Sequence, residues 1–399
     1  MKKVLWFILL FLFIPIDCFA IELPSIHSEK LVIYDLDNDE VIFNKNGDEV
    51  SSIASLTKVM TTIVAIENIN DLDEEVVITS EMLALVRWDA SIAGLKVGDK
   101  VTYRDLLYAS ILPSGADATN SLALLISGSV DGFVKLMNDK AIELGMNNTK
   151  FYNVTGLDHE EHYSSVDDLL KLLTYSLNNE VFKEIYTTKE YKLSNGLLVK
   201  STVIKSSNLI GVDHGRILGS KTGFTLDAGL CISAIFKSNE HNLLLITLGA
   251  PYSNDYYNIV DALTLIDFMD NSYKDELIFK KDTFIKDIIV KDSTISNYNI
   301  YLKNDVYKYL PKDYNKDDLK IVYEGLEEID YKQKLNSKLG TIKCFYKDML
   351  VYQEDVILDI EMKISTALIM IYVIIILIVI IFLYKIIFRC KKRKNYRKR

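Results

Sequence analysis

The sequence predicts an α+β fold: an antiparallel sheet with an inserted helical lobe, followed by a small all-β domain and a C-terminal transmembrane helix. Three observations carry this reading. β-type runs stand at both ends of a long, mostly helical stretch before residue 272. From about 275 to 360, Ile, Val and Leu alternate with Lys, Asp and Tyr, and helical periodicity is gone. Ile364 to Tyr384 is then a run of 21 residues without a charge, enough to span roughly 30 Å of hydrocarbon.

Taken in order, Lys2 and Lys3 precede an apolar run from Val4 to Ile16, and Cys18-Phe19-Ala20 ends in a small residue. This pattern is a secretory signal peptide over 1–20, cut after Ala20. Asp17 occupies the site where a lipidation signal at Cys18 needs a small residue. Leu31 to Phe43, LVIYDLDNDEVIF, is two β runs around an Asp/Asn turn, hence a hairpin.

Ser51 to Asn68 follows, with Leu56, Val59, Met60, Ile63 and Ile66 at helical spacing, so a buried helix begins near Ser55. Ser55 and Lys58, three apart, share a face, which brings Nζ within hydrogen-bonding reach of Oγ. An amine in a largely apolar helix loses hydration, and its pKa falls toward the range where the neutral form accepts a proton. That pairing makes a hydroxyl a nucleophile. Taken alone, Ser-x-x-Lys is equally a helix cap beside a solvated lysine, and only its context decides.

The context lies further on. From Glu81 to Ser176 the pattern is mostly helical, interrupted at 94–98 and 155–158. Ser114-Gly115-Ala116 follows one apolar helical run (Leu106, Leu107, Ile111, Leu112) and opens another (Leu122, Leu124, Leu125), which puts Ser114 in a short turn. Val203 to Ala250 reads as strands, with Lys221-Thr222-Gly223 on or beside one of them, and Tyr257 to Met269 as a closing helix. Strands at both ends with helices between imply one antiparallel sheet carrying a helical lobe. A body of 343 residues, 21–363, exceeds one compact core, so two domains are expected, 21–272 and 273–362. The β domain shows no catalytic set and reads as a spacer from the membrane.

Nine cations and no acid follow the apolar run, in the tail 385–399, which assigns that tail to the cytoplasmic side. Removing signal and tail charges leaves 35 cations against 54 acids, a net −19 on the exported part. Such a surface argues against nucleic acid and against adhesion to anionic lipid. Cys231 and Cys344 alone remain in that part, in different domains, so a disulfide framework is not expected, and Cys231 reads as an inert core residue. His159-Glu160-Glu161-His162 lacks the spacing that sets two imidazoles on one helix face, and no metal is expected there. Trp88 is expected to pack near the helical lobe.

Taken together, the motifs resemble those of the serine-type D-alanyl-D-alanine carboxypeptidases, the low-molecular-mass penicillin-binding proteins. The resemblance rests on 54–61 (ASLTKVMT), 93–99 (AGLKVGD), 112–118 (LPSGADA), 144–149 (LGMNNT) with 155–157 (TGL), and 221–225 (KTGFT) with Ala228-Gly229. It covers nearly the whole exported chain and implies a β-lactamase/DD-peptidase-like fold. It further implies Ser55 as nucleophile toward the penultimate D-alanine carbonyl, Lys58 as base, and Ser114 as proton relay to the leaving amine. Lys221 and Thr222 would hold the terminal carboxylate, and the amides of Ser55 and Phe224, beside Gly223, would form the oxyanion hole. The implied partners are peptidoglycan stem peptides ending in D-Ala-D-Ala, β-lactams as acylating inhibitors, and the membrane through the C-terminal helix. The implied location is the cell membrane, single-pass, with the catalytic domain extracytoplasmic; no cofactor is expected.

One position departs from the pattern. The family usually carries Asn at the third position of the second motif, where this chain has Ala116, and neither Asp117 nor Asn120 stands at the matching place. Losing one or two hydrogen bonds to a charged or reacting group costs about 1.5–3 kcal/mol each, so a weaker enzyme is expected rather than a dead one. Three other readings stand beside the carboxypeptidase. A class A β-lactamase would need a deacylating glutamate, for which Glu143 is a poor candidate. A non-catalytic envelope-binding homologue has only Ala116 in its favour. A transpeptidase or endopeptidase differs in the group that attacks the acyl-enzyme or in the bond cut.

Overall fold

The computed structural model describes residues 23–396, with side chains to Arg389. The expected signal peptide, its cleavage after Ala20, Cys18 and the side chains beyond Arg389 lie outside the described residues. The chain divides into two compact units between Ser272 and Tyr273.

The first unit begins with the expected hairpin, β1 (Lys30–Asp35) and β2 (Glu40–Lys45). Ser55 follows on a 3₁₀ turn, Ala54–Leu56, that runs straight into α1 (Thr57–Asn68). The lobe comprises β3 (Glu75–Val77), α2 (Ser80–Ala84), β4 (Lys100–Thr102), α3 (Tyr103–Ile111), α4 (Ala116–Ser127), α5 (Val130–Glu143), α6 (Val166–Leu177) and α7 (Glu180–Thr187). A small hairpin, β5 (Glu190–Lys192) and β6 (Leu198–Lys200), leads to α8 (Thr202–Ile210). Three long strands return, β7 (Ile217–Thr225), β8 (Gly229–Ser238) and β9 (His241–Ala250), and α9 (Tyr257–Ser272) closes the unit. The sheet order is β2-β1-β9-β8-β7, antiparallel throughout, so β1 pairs β9 from the far end of the unit and β7 is an edge strand.

Most of α1 is buried, because the lobe helices α3 to α7 pack around it. Val59, Met60, Ile63, Val64 and Ala65 join one core with Leu106, Leu107, Phe133, Leu169 and Ile246. Each large apolar side chain so buried contributes about 1.5–3 kcal/mol. Helices α3 and α6 start at side-chain caps, Thr102 accepting from the Asp105 amide and Ser165 from the Asp168 amide, which fixes their entry points.

Two expectations are corrected. Residues 202–210 form a helix, not a strand, ending at Gly211 with φ +69°. Its β-branched and apolar residues imitate a strand, yet only Val203 and Ser207, one turn apart, face the core. Trp88 does not pack: it is 94% exposed, on a turn closed by the Ala90 amide donating to the Arg87 carbonyl. A local turn signal overrides apolarity there.

The second unit contains the expected short strands and one apolar helix. They are β10 (Tyr273–Phe279), β11 (Phe284–Lys291), β12 (Asn297–Tyr301), β13 (Val306–Pro311), β14 (Leu319–Gly325), β15 (Glu328–Asp330), β16 (Lys338–Tyr346) and β17 (Met349–Ile357). Ile288, Val290, Ile300, Ile329, Ile342 and the free Cys344 meet in its core. Pairing is antiparallel except between β11 and β15, which are parallel, because the chain crosses through three strands between them. Helix α10 (Thr366–Tyr396) includes Thr366–Arg389, 24 residues long and apolar enough to cross a membrane, with mean hydropathy 3.3.

The start of the first unit is held by a buried carboxylate. Asp261 accepts from the His27 amide (3.0 Å), the Ser28 amide (2.7 Å) and the Ser28 hydroxyl (2.6 Å) while itself 1% exposed. Asp261→Ala leaves those donors unpaired, and a loss of about 3 kcal/mol is expected, read as a lower denaturant midpoint.

Candidate active site

Lys58 is 2% exposed, on the first turn of α1, and its Nζ lies 2.9 Å from Ser55 Oγ. It also donates to the Thr155 carbonyl at 2.5 Å. Burial brings its pKa down from 10.5 to about 7, against the opposing pull of Asp117. The amine is therefore neutral over the upper half of the physiological range.

The 3₁₀ turn that carries Ser55 is wedged between two glycines. Ala54 has φ +47°, a left-handed conformation that alanine rarely adopts. At Gly156, φ +84°, any Cβ would come within 1.9 Å of the Ala54 carbonyl oxygen. At Gly223 of β7 it would meet the Ala54 methyl and the Ser55 amide nitrogen at 2.9 Å. Only residues without a side chain let the loop after Val154 and the edge strand close on the serine.

Lys221, in β7, is fully buried and donates to the carbonyl of Thr222 at 2.7 Å. Burial first, and the Lys58 amine second, hold its pKa well below the ordinary lysine range. Two lysine amines thus share one electrostatic environment. The Thr222 hydroxyl lies 2.6 Å from that of Thr202 at the start of α8, whose amide donates to the Leu112 carbonyl at 3.0 Å. Phe224 is 41% exposed and its ring lies 4.9 Å from that of Tyr252.

Ser114 lies in the turn between α3 and α4 with φ +62°. It is 3% exposed, and its Oγ is buried without a hydrogen-bond partner. Ala116 opens α4, buried, its amide donating to the Ser91 carbonyl at 2.8 Å. Asp117 is equally buried and accepts from the amides of Ala93, Gly94 and Leu95 at 2.9, 2.8 and 3.0 Å. That explains the break at 94–98: a carboxylate on α4 reels the loop onto the serine turn.

Several of these partners escape sequence reasoning. The Thr155 carbonyl has no side-chain signature, although Thr155-Gly156-Leu157 marks the place. Thr202 stands immediately before the stretch misread as strand. His159 and His162 part company: His159 is exposed and stacks on Tyr152, whereas His162 is 2% exposed against Thr57. Among the described residues, Asp35, Asp37 and His241 alone have metal-ligand proximity. Asp35 already accepts from the amides of Asp37 and Asn38 and from the Asn38 side chain, which makes it the cap of the hairpin turn. Cys231 is buried, with its thiol pushed up to about 12, as an inert core residue should be.

A five-stranded antiparallel sheet, a helical lobe and a half-buried serine paired with a buried lysine beside a sheet-edge lysine define the class, the serine peptidases of the penicillin-binding fold. The family model described as D-alanyl-D-alanine carboxypeptidase matches residues 18–252, and the chain belongs to that family of serine peptidases. The D-alanyl-D-alanine carboxypeptidase DacF of Bacillus subtilis is 28% identical over 319 residues, 79% of this chain and 80% of its own. A D-alanyl-D-alanine endopeptidase of Escherichia coli is 31% identical over 61% of this chain and 77% of its own. In fold, the chain is similar to the crystal structure of penicillin binding protein 5 from Haemophilus influenzae, with a TM-score of 0.63 at 21% identity. That likeness covers 86% of this chain and all of the other.

Gly156→Ala tests the wedge. Strain at φ +84° and the clash with Ala54 are expected to cost about 2 kcal/mol or more, seen as a lower melting temperature. Penicillin labelling should slow at least about tenfold, since the serine turn must move.

Proposed function

We propose that the chain removes the terminal D-alanine from peptidoglycan stem pentapeptides through an acyl-enzyme on Ser55. The observation that carries this is the 2.9 Å approach of a buried, largely neutral Lys58 amine to the Ser55 hydroxyl. In the neutral amine, the Ser55 hydroxyl donates to the Nζ lone pair. As Oγ attacks the carbonyl carbon of the penultimate D-alanine, its proton passes to Lys58. The oxyanion is met by the amides of Ser55 and Phe224, preorganised donors of the kind that lowers a barrier by several kcal/mol.

Collapse of the tetrahedral intermediate breaks the peptide bond, and the departing amine takes a proton relayed from Lys58 by Ser114. The unpartnered, buried Ser114 Oγ supports that role, because such a hydroxyl gains a partner when substrate binds. Water then attacks the acyl-enzyme with Lys58 again as base, freeing Ser55. The Lys221 amine and the Thr222 hydroxyl hold the carboxylate of the leaving D-alanine. Arrival of that carboxylate supplies the counter-charge that burial denies Lys221, and a charged Lys221 in turn keeps Lys58 neutral.

Ala116 offers no amide to the substrate, so turnover one to two orders of magnitude below an Asn-bearing enzyme is expected, at about 1.5–3 kcal/mol per lost bond. The complete Ser–Lys pair favours catalysis over a purely binding role. The apolar span of α10 and the cations after it support a single-pass anchor with the catalytic unit outside the membrane.

Incubation with a β-lactam followed by mass spectrometry should find the added mass on the peptide carrying Ser55, and none in Ser55→Ala. Wild-type protein that neither forms this adduct nor releases D-alanine from a pentapeptide would overturn the proposal. The acylation rate should also depend on pH. A protonated Lys58 cannot accept the serine proton, so the rate constant should fall as pH drops through about 7 and level off above it. A rate unchanged between about pH 5 and pH 9 would exclude Lys58 as the base.

A further inference from the structure

The buried imidazole of His162 has no part in the scheme above, yet it touches the supports of both reacting groups. Its Nδ1 faces the amides of Tyr152 and Asn153, at 3.1 and 3.4 Å, and its Nε2 lies 2.7 Å from the Thr57 hydroxyl. Backbone amides only donate, so Nδ1 is the acceptor, and a neutral ring then carries its proton on Nε2. Nε2–H donates to Thr57 Oγ1, whose own proton is directed to the Ala54 carbonyl at 2.8 Å. Ala54 is the strained residue that sets the peptide of Ser55.

On the other side, the turn held by Nδ1 is closed by Asn153. Its Oδ1 accepts from the amides of Thr155 (3.1 Å), Gly156 (2.7 Å) and Leu157 (3.2 Å), which aims the Thr155 carbonyl at Lys58. The hydrogen bonds therefore run without a gap from the nucleophile's peptide through one imidazole to the turn that grips the base.

We propose that His162 is a positioning residue for acylation: its neutral ring locks the turn that holds Lys58 to the Thr57–Ala54 support of Ser55. The proposal rests on the acyl-enzyme reading of Ser55 and Lys58. A protonated ring would aim a second donor at the Tyr152 and Asn153 amides, so the clamp needs the uncharged form. Burial, with His159 and Lys58 nearby, keeps the ring uncharged by lowering its pKa to about 4. The charged group bearing on Lys58 itself is Asp117, and the Lys221 amine feels Lys58 in turn.

The test uses the full chain and a fluorescent penicillin, with His162→Ala, His162→Gln, Thr57→Val and the double variant His162→Ala/Thr57→Val. Melting curves first establish that each variant is folded. Each of His162→Ala and Thr57→Val is expected to lower the second-order acylation constant about 10- to 100-fold. The double variant should be little worse than either, because both break one chain of bonds. His162→Gln, whose amide can still donate to Thr57, should recover part of the loss.

In His162→Ala the acid limb of the pH profile should also move upward, toward an ordinary lysine, as water reaches the loosened amine. A folded His162→Ala that acylates within about twofold of wild type overturns the proposal. So do penalties that add while the acid limb stays where it was. If His162→Ala does not fold, Thr57→Val decides: acylation at the wild-type rate rejects the clamp, and the expected loss with a shifted acid limb supports it. Wild-type protein that fails to acylate at Ser55 removes the reaction itself, whereas normal wild-type acylation with an indifferent His162 removes only this inference.

Discussion

A lysine amine denied water is the constraint on which the rest depends. Lys58 projects from a helix buried on nearly every side, and its near neighbours are a serine hydroxyl and a backbone carbonyl. Charging it there costs what solvation would have returned, so burial brings the amine's pKa down to about 7 and leaves a neutral fraction that the proposed mechanism uses as its base. A second buried lysine on β7 makes simultaneous charging of both harder still. Everything that keeps water out, from the packing of α1 to the closure of the loop after Val154 and of β7 on the serine turn, is therefore also part of the proposed chemistry.

Closure stores strain in a few residues. Ala54 and Ser114, both non-glycine, sit at positive φ. Such conformations persist only where the surroundings over-determine them, and here Gly156, Gly223 and the Asp117 carboxylate do so. Because β7 pairs on one side only, its other edge is open beside the serine turn. An unpaired strand edge of this kind can accept an extended peptide, which suits the proposed substrate.

The departure at Ala116 changes meaning in this setting. The base does not depend on a side-chain amide from α4, because the Thr155 carbonyl already receives one of its protons. On the proposed reading, what Ala116 gives up is a contact to substrate. The neighbouring Asp117 is fully engaged in anchoring the 93–95 loop and is not a substitute for the missing amide. In the proposed mechanism this predicts slower turnover with Ser55 still able to acylate.

Local pattern alone was enough for much of this protein. Helical spacing around Ser55, the turn at Ser114, alternating strands beside Lys221 and the uncharged run near the C-terminus are short-range features, and each stands in the structure where periodicity puts it. The misreadings also have local causes: β-branched residues disguised α8, and apolarity hid the exposure of Trp88. What only the tertiary structure decided are the contacts between groups with no sequence signature. The grip of Thr155 on Lys58, the relay from His162 to Ala54, and the depression of the Lys221 pKa are of this kind. They come from carbonyls, amides and missing water, and such partners exist only once distant parts of the chain have closed around them.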